Sequence, residues 1–258
     1  MAPGGTVGKA ALVLRAFTPF VDVLSVRRLA ERTGIPRSSV HELCRALCGE
    51  GLLEPVPGGG YRLGPLLVEL GGQVIERTGL VAAAEGVAER LRSPDAEVHL
   101  GQLVDGWVVY LHRHCGPRGA PMDNRVGLRA PAHLTGCGQA AMALLDADEV
   151  GDRVRRLCAE ERRPLPDLAR LAEDLAEARR RGYVVCRSFQ PGRTSVAAAV
   201  RDSSGRPVGG MSVAADTDLL SPARIRRVGA AITAAAAAVS ARLAHHGTDR
   251  PERADTVR

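Results

Sequence analysis

Aromatic residues are scarce in this chain of 258 residues, which has one Trp, three Tyr and three Phe. Proteins that bind single-stranded nucleic acid stack the bases on aromatic side chains, so this scarcity argues against that class. The core must be built from Leu, Val, Ile and Ala. Hydrophobic residues make up 45% of the chain and charged residues 25%, which is typical of a folded protein and argues against a wholly disordered one.

Long apolar runs and paired cysteines are also lacking. No stretch reaches the roughly 18 to 20 uninterrupted apolar residues of a membrane span. Met1 to Lys9 does not have the basic and then apolar order of a signal peptide. The six cysteines include no CxxC pair, which argues against a small disulfide framework. We therefore expect a cytoplasmic protein with reduced thiols and no membrane segment.

Lysine is almost absent, since Lys9 is the single lysine among 35 basic residues. Such a preference for arginine indicates a GC-rich genome and favours a bacterial source. The formal net charge is +6. This basic balance permits a polyanionic partner such as DNA, but it does not require one.

Hydrophobic periodicity and turn residues divide the chain into four segments. Residues 1–64 have the pattern of three short helices followed by a β-hairpin with a Pro/Gly-rich tip. Residues 65–79 have the pattern of one more helix. Residues 80–246 alternate strands with helices, which favours a central antiparallel sheet flanked by helices. Residues 247–258 are polar with no apolar period, which is typical of a disordered tail. The predicted fold class is α+β.

The second and third helices have the length and turn of a helix-turn-helix motif, with Thr33-Gly34-Ile35-Pro36 between them. At about 100° per residue, Val40, Leu43 and Leu47 fall on one side of the third helix. The other side carries hydrogen-bond donors that are able to contact base edges in the major groove. The candidate base-reading residues are Arg37, Ser38, Ser39, His41 and Arg45.

Four other arginines are placed for phosphate contacts. Arg27, Arg28 and Arg32 lie on the preceding helix, and Arg62 lies beside the hairpin turn. A basic helix by itself is also typical of the solvated face of an ordinary three-helix domain. The turn, the exposed donors, the glycine-rich hairpin and the following helix together favour DNA binding.

The segment 24–41, LSVRRLAERTGIPRSSVH, resembles the N-terminal winged helix of IclR-type transcriptional regulators, as do residues 51–54 and 61–64. The second half of the chain resembles the same family at residues 97–100, 109–111, 132–140, 182–185 and 196–213. The likeness covers nearly the whole chain, in order and with plausible spacing.

The resemblance implies a winged helix-turn-helix DNA-binding domain (1–64), a linker helix (65–79) and an effector-binding sensor domain of GAF-like fold (80–246). It further implies a homodimer or a dimer of dimers that binds a near-palindromic operator and responds to a small molecule as a repressor or an activator. No cofactor is implied.

The resemblance also places an effector pocket in the sensor domain. The residues it implies are Leu134, Gly136, Cys137, Gly138, Cys186, Ser195, Met211 and Ser212. Members of the family often have lysine at the place of Gln139, an acidic residue near Cys186 and cysteine at the place of Ser195. Members that sense small keto acids usually have a second serine at the place of Ala214. These departures indicate a less polar or differently shaped ligand.

Gly136 and Gly138 precede a short apolar helix predicted to begin near Gln139. Glycines at a helix N-terminus let an anionic or carbonyl group approach the free N–H groups. We accordingly expect Gly138→Val to abolish the effector response and to leave operator binding intact. The alternative is that both glycines only make a tight turn.

Other functions stay open on the residues alone. A hydrolase would use Ser195, Cys137 or Cys186 as nucleophile with His133 or His99, although no nucleophile elbow surrounds them. A sensor that works only through protein contacts would leave Arg37 and Arg45 unused. A metal site at His112, His114 and Cys115, with His99 and His133 near, and a thiol switch at Cys48 are weaker hypotheses.

Overall fold

A computed structural model of the chain describes residues 5–119, 126–187 and 189–248. These residues form two compact units, one ending at Arg77 and the other beginning at Thr78. Each unit has a core of its own. The units are therefore described separately.

The first unit has three helices, a hairpin and a fourth helix. They are α1 (Thr6–Arg15), α2 (Val26–Thr33), α3 (Arg37–Gly49), β1 (Leu53–Pro55), β2 (Tyr61–Leu63) and α4 (Leu66–Thr78). Strands β1 and β2 pair antiparallel, and Leu24 adds an isolated bridge to Tyr61. The order of helices and the hairpin predicted from the sequence is confirmed.

Local signals explain the tight turn between α2 and α3. The Ser25 hydroxyl caps α2 by accepting from the Arg28 backbone N–H at 3.3 Å. Gly34 ends α2 in the left-handed region, with φ 70°. The Thr33 hydroxyl accepts from the Ile35 N–H at 3.3 Å, and α3 begins directly after Pro36. This turn fixes the direction in which α3 leaves α2.

The second unit contains six strands and five helices among its described residues, with 3₁₀ turns at Ala88–Leu91, Ala132–Leu134 and Thr217–Leu219. The strands are β3 (Ala96–Val104), β4 (Trp107–Cys115), β5 (Arg129–Pro131), β6 (Val184–Cys186), β7 (Arg193–Arg201) and β8 (Pro207–Asp216). The helices are α5 (Leu80–Ala84), α6 (Gly136–Met142), α7 (Ala147–Glu161), α8 (Leu168–Arg181) and α9 (Pro222–Thr248).

The six strands form one antiparallel sheet in the order β5-β4-β3-β8-β7-β6. One face packs on α5 and α9 through a core that includes Leu100, Val213 and Ile232. The other face, here called the inner face, carries a second core with residues of α6, α7 and α8. The predicted antiparallel sheet flanked by helices is confirmed.

Helix α6 differs from its prediction, because it begins at Gly136 and ends at Met142. The Thr135 hydroxyl accepts from the Gly138 N–H at 3.1 Å, so the cap lies before both glycines. Helix α7 was not among the predicted elements. Helix α9 continues to Thr248, two residues into the predicted tail, and residues 249–258 lie outside the described part of the chain.

The Pro222–His245 part of α9 is long and apolar enough to cross a membrane by length and composition. However, Ile232, Ala236 and Val239 of this helix are buried in the core beside the sheet. We interpret α9 as the core helix of a folded domain.

Candidate DNA-binding and effector sites

Helix α3 is divided into a buried and an exposed side. Val40, Leu43, Cys44 and Leu47 are buried in the core of the first unit. Of the candidate base-reading residues, Ser39 is half-buried and the rest are exposed. The exposed ones are Arg37, Ser38, His41 and Arg45. Their side chains share one solvent-facing surface of α3, the arrangement that readout in a major groove needs.

The arginines of the first unit differ in whether they form ion pairs. Within residues 5–77, no ion pair is found for Arg28, Arg37 or Arg45. Arg27 pairs with Glu31 at 3.1 Å, and Arg62 pairs with Glu54 across the hairpin at 2.7 Å. Exposed ion pairs of this kind contribute about 1 kcal/mol or less, so a phosphate is able to replace the carboxylate.

Two further residues alter the predicted set of DNA-contacting side chains. Arg32, a predicted phosphate contact, donates to the Ala16 carbonyl at 2.7 Å and so ties α2 to the end of α1. Glu42 is exposed beside His41, and sequence reasoning missed it although the helical wheel places it there. A carboxylate at this position is able to accept a hydrogen bond from a cytosine amino group.

The two cysteines of α3 have raised thiol pKa values. Burial, followed by the nearby Cys48, raises the pKa of Cys44 to about 11. Burial also raises the pKa of Cys48. The thiolate is the reactive form of cysteine. A thiol switch at Cys48 is therefore not favoured by this environment.

The inner face of the sheet carries a buried polar cluster between β4, β3, β8 and β7. Its members, here called the polar cluster, are Glu97, His99, Arg113, Cys115, Arg193 and Ser212. Buried polar groups need hydrogen-bond partners or a function. The contacts of the polar cluster are therefore described one by one.

Glu97 is the centre of the polar cluster and is fully buried. It accepts from Arg113 Nε at 3.0 Å and from Arg113 Nη2 at 3.3 Å. His99 Nε2 lies 2.9 Å from Glu97 Oε2, and the Cys115 thiol lies 3.6 Å from Oε1. The hydrogen bonds to Glu97 raise the pKa of Arg113. Arg113 is therefore held in its charged form.

Hydrogen bonds extend the cluster from His99 to α6. The Ser212 hydroxyl lies 3.4 Å from His99 Nδ1. The Cys137 thiol of α6 donates to the Ser212 oxygen at 3.3 Å. Burial raises the pKa of Cys137 to about 12, which argues against a thiolate nucleophile.

Arg193 lies at the other end of the polar cluster, and its side chain is 5% exposed. Its Nη1 donates to Asp216 Oδ1 at 2.6 Å. Its Nη2 is 4.0 Å from Glu97 Oε1, which is beyond hydrogen-bond distance. Nε and Nη2 have no hydrogen-bond partner among residues 5–119, 126–187 and 189–248. Sequence reasoning missed Arg193, because its burial depends on strand pairing.

The structure separates the predicted effector-binding residues into two groups. Ser195 and Ser212 lie on the inner face, where Cys137 contacts Ser212. Met211 packs in the core on the opposite face of the sheet. The prediction that Met211 lines one pocket together with Ser212 is wrong, because successive side chains of a strand point to opposite faces.

The glycines of α6 pack against protein atoms. A Cβ at Gly138 would lie 2.3 Å from the Ala132 carbonyl oxygen, and one at Gly136 would lie 2.5 Å from the Ser195 oxygen. The Gly138 N–H is already bonded to Thr135. A side chain at Gly138 would therefore collide with the main chain of Ala132, so any loss of the effector response in Gly138→Val would also reflect disrupted packing.

Leu134 and Cys186 lie beside this region. The Cys186 thiol donates to the Leu134 carbonyl oxygen at 3.3 Å, which joins β6 to the turn before α6. Cys186 is buried and Leu134 is half-buried. These two residues therefore close one side of the inner face.

The proposed metal ligands do not lie together. His112 and His114 pair with Leu100 and Val98 across β3, whereas Cys115 pairs with Glu97 and points to the inner face. Burial, followed by the charge of His114, lowers the pKa of His112. Among the described residues, no group of three or more His, Cys, Asp or Glu has a metal-binding arrangement.

Comparison with known families identifies the class of protein. The sequence model described as "Bacterial transcriptional regulator IclR C-terminal" matches residues 72–241, and the "IclR helix-turn-helix domain" matches residues 6–57. The chain belongs to the IclR family of transcriptional regulators and contains its helix-turn-helix domain. The resemblance noted in the sequence is thereby confirmed.

Curated relatives are similar along most of the chain. The regulator BhcR of Paracoccus denitrificans is 28% identical over 84% of this chain and 80% of its own length. KdgR of Escherichia coli is 26% identical over 86% of this chain and 87% of its own length. Both are named HTH-type transcriptional regulators.

Solved structures show the same fold. An IclR transcriptional regulator from Silicibacter sp. TM1040 superposes with a TM-score of 0.76 and 24% identity, covering 93% of this chain and 96% of that chain. An IclR homologue from Microbacterium hydrocarbonoxydans, complexed with 4-hydroxybenzoate, has a TM-score of 0.75 and 22% identity, covering 91% of this chain and 97% of that chain. At these identities the likeness establishes the fold alone.

Proposed function

We propose that this regulator binds a near-palindromic operator in the cytoplasm as a homodimer or a dimer of dimers, with α3 of each copy in the major groove. The observation that carries the proposal is the exposed surface of α3, where Arg37 and Arg45 have no ion pair among the described residues. Two-fold symmetric proteins require two-fold symmetric DNA sites.

The roles of the side chains follow from their chemistry. Arg37 and Arg45 are suited to guanine edges, while Ser38, Ser39 and His41 supply further hydrogen bonds to bases or phosphates. Arg27, Arg28 and Arg62 are suited to phosphates. Base contacts give sequence preference, whereas phosphate contacts give affinity for every sequence.

Arg37→Ala is expected to weaken operator binding by about 1–3 kcal/mol and to relax the preference at one base position. Arg62→Ala is expected to weaken binding to all sequences about equally and to lower the salt dependence. Electrophoretic mobility shifts with DNA from beside the protein's own gene, repeated at several salt concentrations, measure both effects. Arg226→Ala, an exposed arginine of α9, is the control.

An Arg37→Ala variant that binds like the parent protein would remove this residue from the site. Purified protein that binds no promoter fragment but hydrolyses esters or amides would favour the hydrolase instead.

We propose no catalytic activity. Ser212, His99 and Glu97 follow one another as in a catalytic triad, but Ser212 lies in a central strand whose N–H groups serve the sheet and offer no oxyanion hole.

Helix α4 is proposed to pair with the same helix of a second copy. None of its residues is buried within the described chain, and Val68, Leu70 and Val74 are exposed. Leu66, Leu70 and Val74 form an apolar stripe with a spacing of four residues. An effector changes operator affinity only if it favours one spacing of the two α3 helices over another, and paired linker helices set that spacing.

Leu70→Glu combined with Val74→Glu is expected to break this pairing, because four like charges would face one another across the two helices. Light scattering during size-exclusion chromatography should show a smaller assembly, and operator affinity should fall with it. Glu76→Gln, on the opposite side of α4, is the matched control. An unchanged molecular mass of the double variant would contradict the proposal.

The inner face of the sheet is proposed as the effector site. The polar cluster, Ser195 and the Cys137 side of α6 supply hydrogen-bonding groups there, and Leu134, Gly136, Gly138 and Cys186 frame it. The homologue complexed with 4-hydroxybenzoate has the same fold, which supports binding of a small molecule by this regulator. Met211 is left out of this site, since it lies on the opposite face.

A further inference from the structure

We propose that a cavity at the β6 edge of the sheet, here called the edge pocket, binds a small molecule with an apolar ring system and one negative charge. The edge pocket contacts the end of α6, whereas the proposed effector site lies at the first turn of that helix. In the described part of the chain, none of the residues that line it is a predicted effector-binding residue. The inference therefore does not depend on the effector site.

The edge pocket exists because β6 is short. Strand β6 pairs with residues 195–197 of β7, and β7 continues to Arg201. Within residues 5–119, 126–187 and 189–248, no strand lies beside residues 198–201 on that side. The end of α6 and α8 line the cavity from the inner face, and α9 lines it from the other face. Its volume is about 410 Å³, within the roughly 300–1,000 Å³ of small-molecule sites.

Small side chains leave this space open and make its walls apolar. Seven of the lining residues are alanines, which come from the end of α6, from α8, from β7 and from α9. An alanine side chain ends at Cβ, so the helices do not fill the gap beside β7. Burial of apolar surface in such a cavity favours an apolar ligand.

An aromatic side chain forms part of one wall. The Tyr183 ring lies against α9, where a Cβ at Gly229 would be 2.5 Å from its Cε1 atom. The central guanidinium carbon of Arg181 lies 4.6 Å from the centre of the same ring. These two contacts hold the ring in place. Aromatic rings pack favourably against one another, so this wall favours a ring in the ligand.

The polar groups inside the edge pocket already have hydrogen-bond partners in the protein. The Arg179 guanidinium donates to the carbonyl oxygens of Ala143 and Leu145. The Thr233 and Ser240 hydroxyls each donate to a main-chain carbonyl of their own helix, at 2.8 and 2.7 Å. The body of the ligand therefore needs no hydrogen-bonding groups there.

The charge at the rim indicates an anionic group on the ligand. Arg179 and Arg201 line the edge pocket, and among the described residues no acidic side chain does. The Arg201 side chain is exposed, and no ion pair is found for it within residues 5–119, 126–187 and 189–248. Its main-chain N–H donates to the Ser240 hydroxyl at 3.0 Å, which fixes the position of its Cα beside α9. An anionic group of the ligand is favoured at this rim.

The test uses 8-anilinonaphthalene-1-sulfonate (ANS), an aromatic anion whose fluorescence rises in apolar surroundings. N-phenyl-1-naphthylamine has the same rings without the sulfonate and serves as the neutral probe. Each probe is titrated into the full-length protein at constant ionic strength. ANS should bind at one saturable site per chain, and it should raise Tm, since a ligand of the folded state stabilises that state.

Two variants fill the edge pocket from different walls. Ala237→Phe on α9 and Ala199→Leu on β7 place a larger side chain in the cavity, and each should weaken ANS binding by about 10-fold or more. Ala238→Phe, at the exposed neighbouring position outside the cavity, is the matched control and should bind like the parent protein. Thermal unfolding without a probe shows whether each variant is folded. If Ala199→Leu does not fold, Ala237→Phe decides alone, because its position is exposed.

Arg201→Gln removes the charge at the rim of the edge pocket. It should weaken ANS binding by about 3- to 5-fold and leave binding of the neutral probe unchanged, since only ANS carries a charge. Arg226→Gln, an exposed arginine of α9 outside the cavity, is the control and should change neither Kd.

The inference is wrong if ANS does not saturate at one site per chain, if neither filling variant weakens its binding, or if Arg201→Gln affects both probes equally. ANS binding that is lost in Ser212→Ala but retained in both filling variants would place the probe on the inner face and reject the edge pocket. A smaller assembly of Ala237→Phe in light scattering, with an unchanged Kd for ANS, would show instead that a second copy of the chain covers this groove.

Discussion

Glu97→Gln is expected to lower the free energy of unfolding of the second unit by about 3–5 kcal/mol, the cost of leaving buried charges without their partner. Glu97 is fully buried and is hydrogen-bonded to Arg113 and His99, and Arg193 lies near it. Glutamine has nearly the same shape, so the loss reports on charge and not on packing. Urea unfolding followed by fluorescence of Trp107, a residue of β4 in this unit, measures the effect.

Asp174→Asn is the control for this experiment. Asp174 pairs with Arg170 on α8, and both side chains are largely exposed. Its loss should change stability by about 0.5 kcal/mol or less. Equal effects of the two variants would show that the charge of Glu97 is not stabilised by its buried partners. Arg113→Met should cost less in the Glu97→Gln variant than in the parent protein.

Gly138→Ala is expected to destabilise the second unit by about 3 kcal/mol. The added Cβ would lie 2.3 Å from the Ala132 carbonyl oxygen, which is a main-chain atom that cannot rotate away. The larger side chain of Gly138→Val should prevent folding of this unit. Thermal unfolding of the purified variants, with yield of soluble protein beside it, measures both outcomes.

Gly151→Ala in α7 is the matched control, since it is also a buried glycine inside a helix. The nearest atoms to its Cβ belong to the end of the flexible Arg155 side chain, at 3.1 Å. Alanine there should be neutral or should stabilise the helix by up to about 1 kcal/mol. If Gly138→Ala were as stable as Gly151→Ala, the glycine would be free for ligand contact after all.

The DNA-binding unit was predicted in most of its detail because its signals are local. Ser25, Gly34 and Pro36 mark helix ends through the chemistry of capping and backbone conformation. The apolar spacing of Val40, Leu43 and Leu47 fixes which side of α3 is buried. The exposed side then follows by exclusion, and the same spacing places Glu42 on it beside the basic residues.

Local signals in the sequence indicate some residues of the proposed effector site and not others. The turn from Thr135 to Gly138 and the strand containing Ser212 were found, since their residues are close together along the chain. Met211 and Ser212 are neighbours on β8, so strand alternation places their side chains on opposite faces and only Ser212 lies on the inner face. Gly138 was assigned to a ligand because nothing in the sequence shows that Ala132 lies against it.

The sequence by itself determined the family, the order of elements in the first unit and the exposed side of α3, since the last two depend on residues within a few turns of one another. Only the tertiary structure decided that Glu97, Arg113, Arg193 and Ser212 meet in one buried cluster. These residues come from four strands, and their contact depends on strand order and register across the sheet. Register is set by the packing of whole faces, which no local pattern in the chain records.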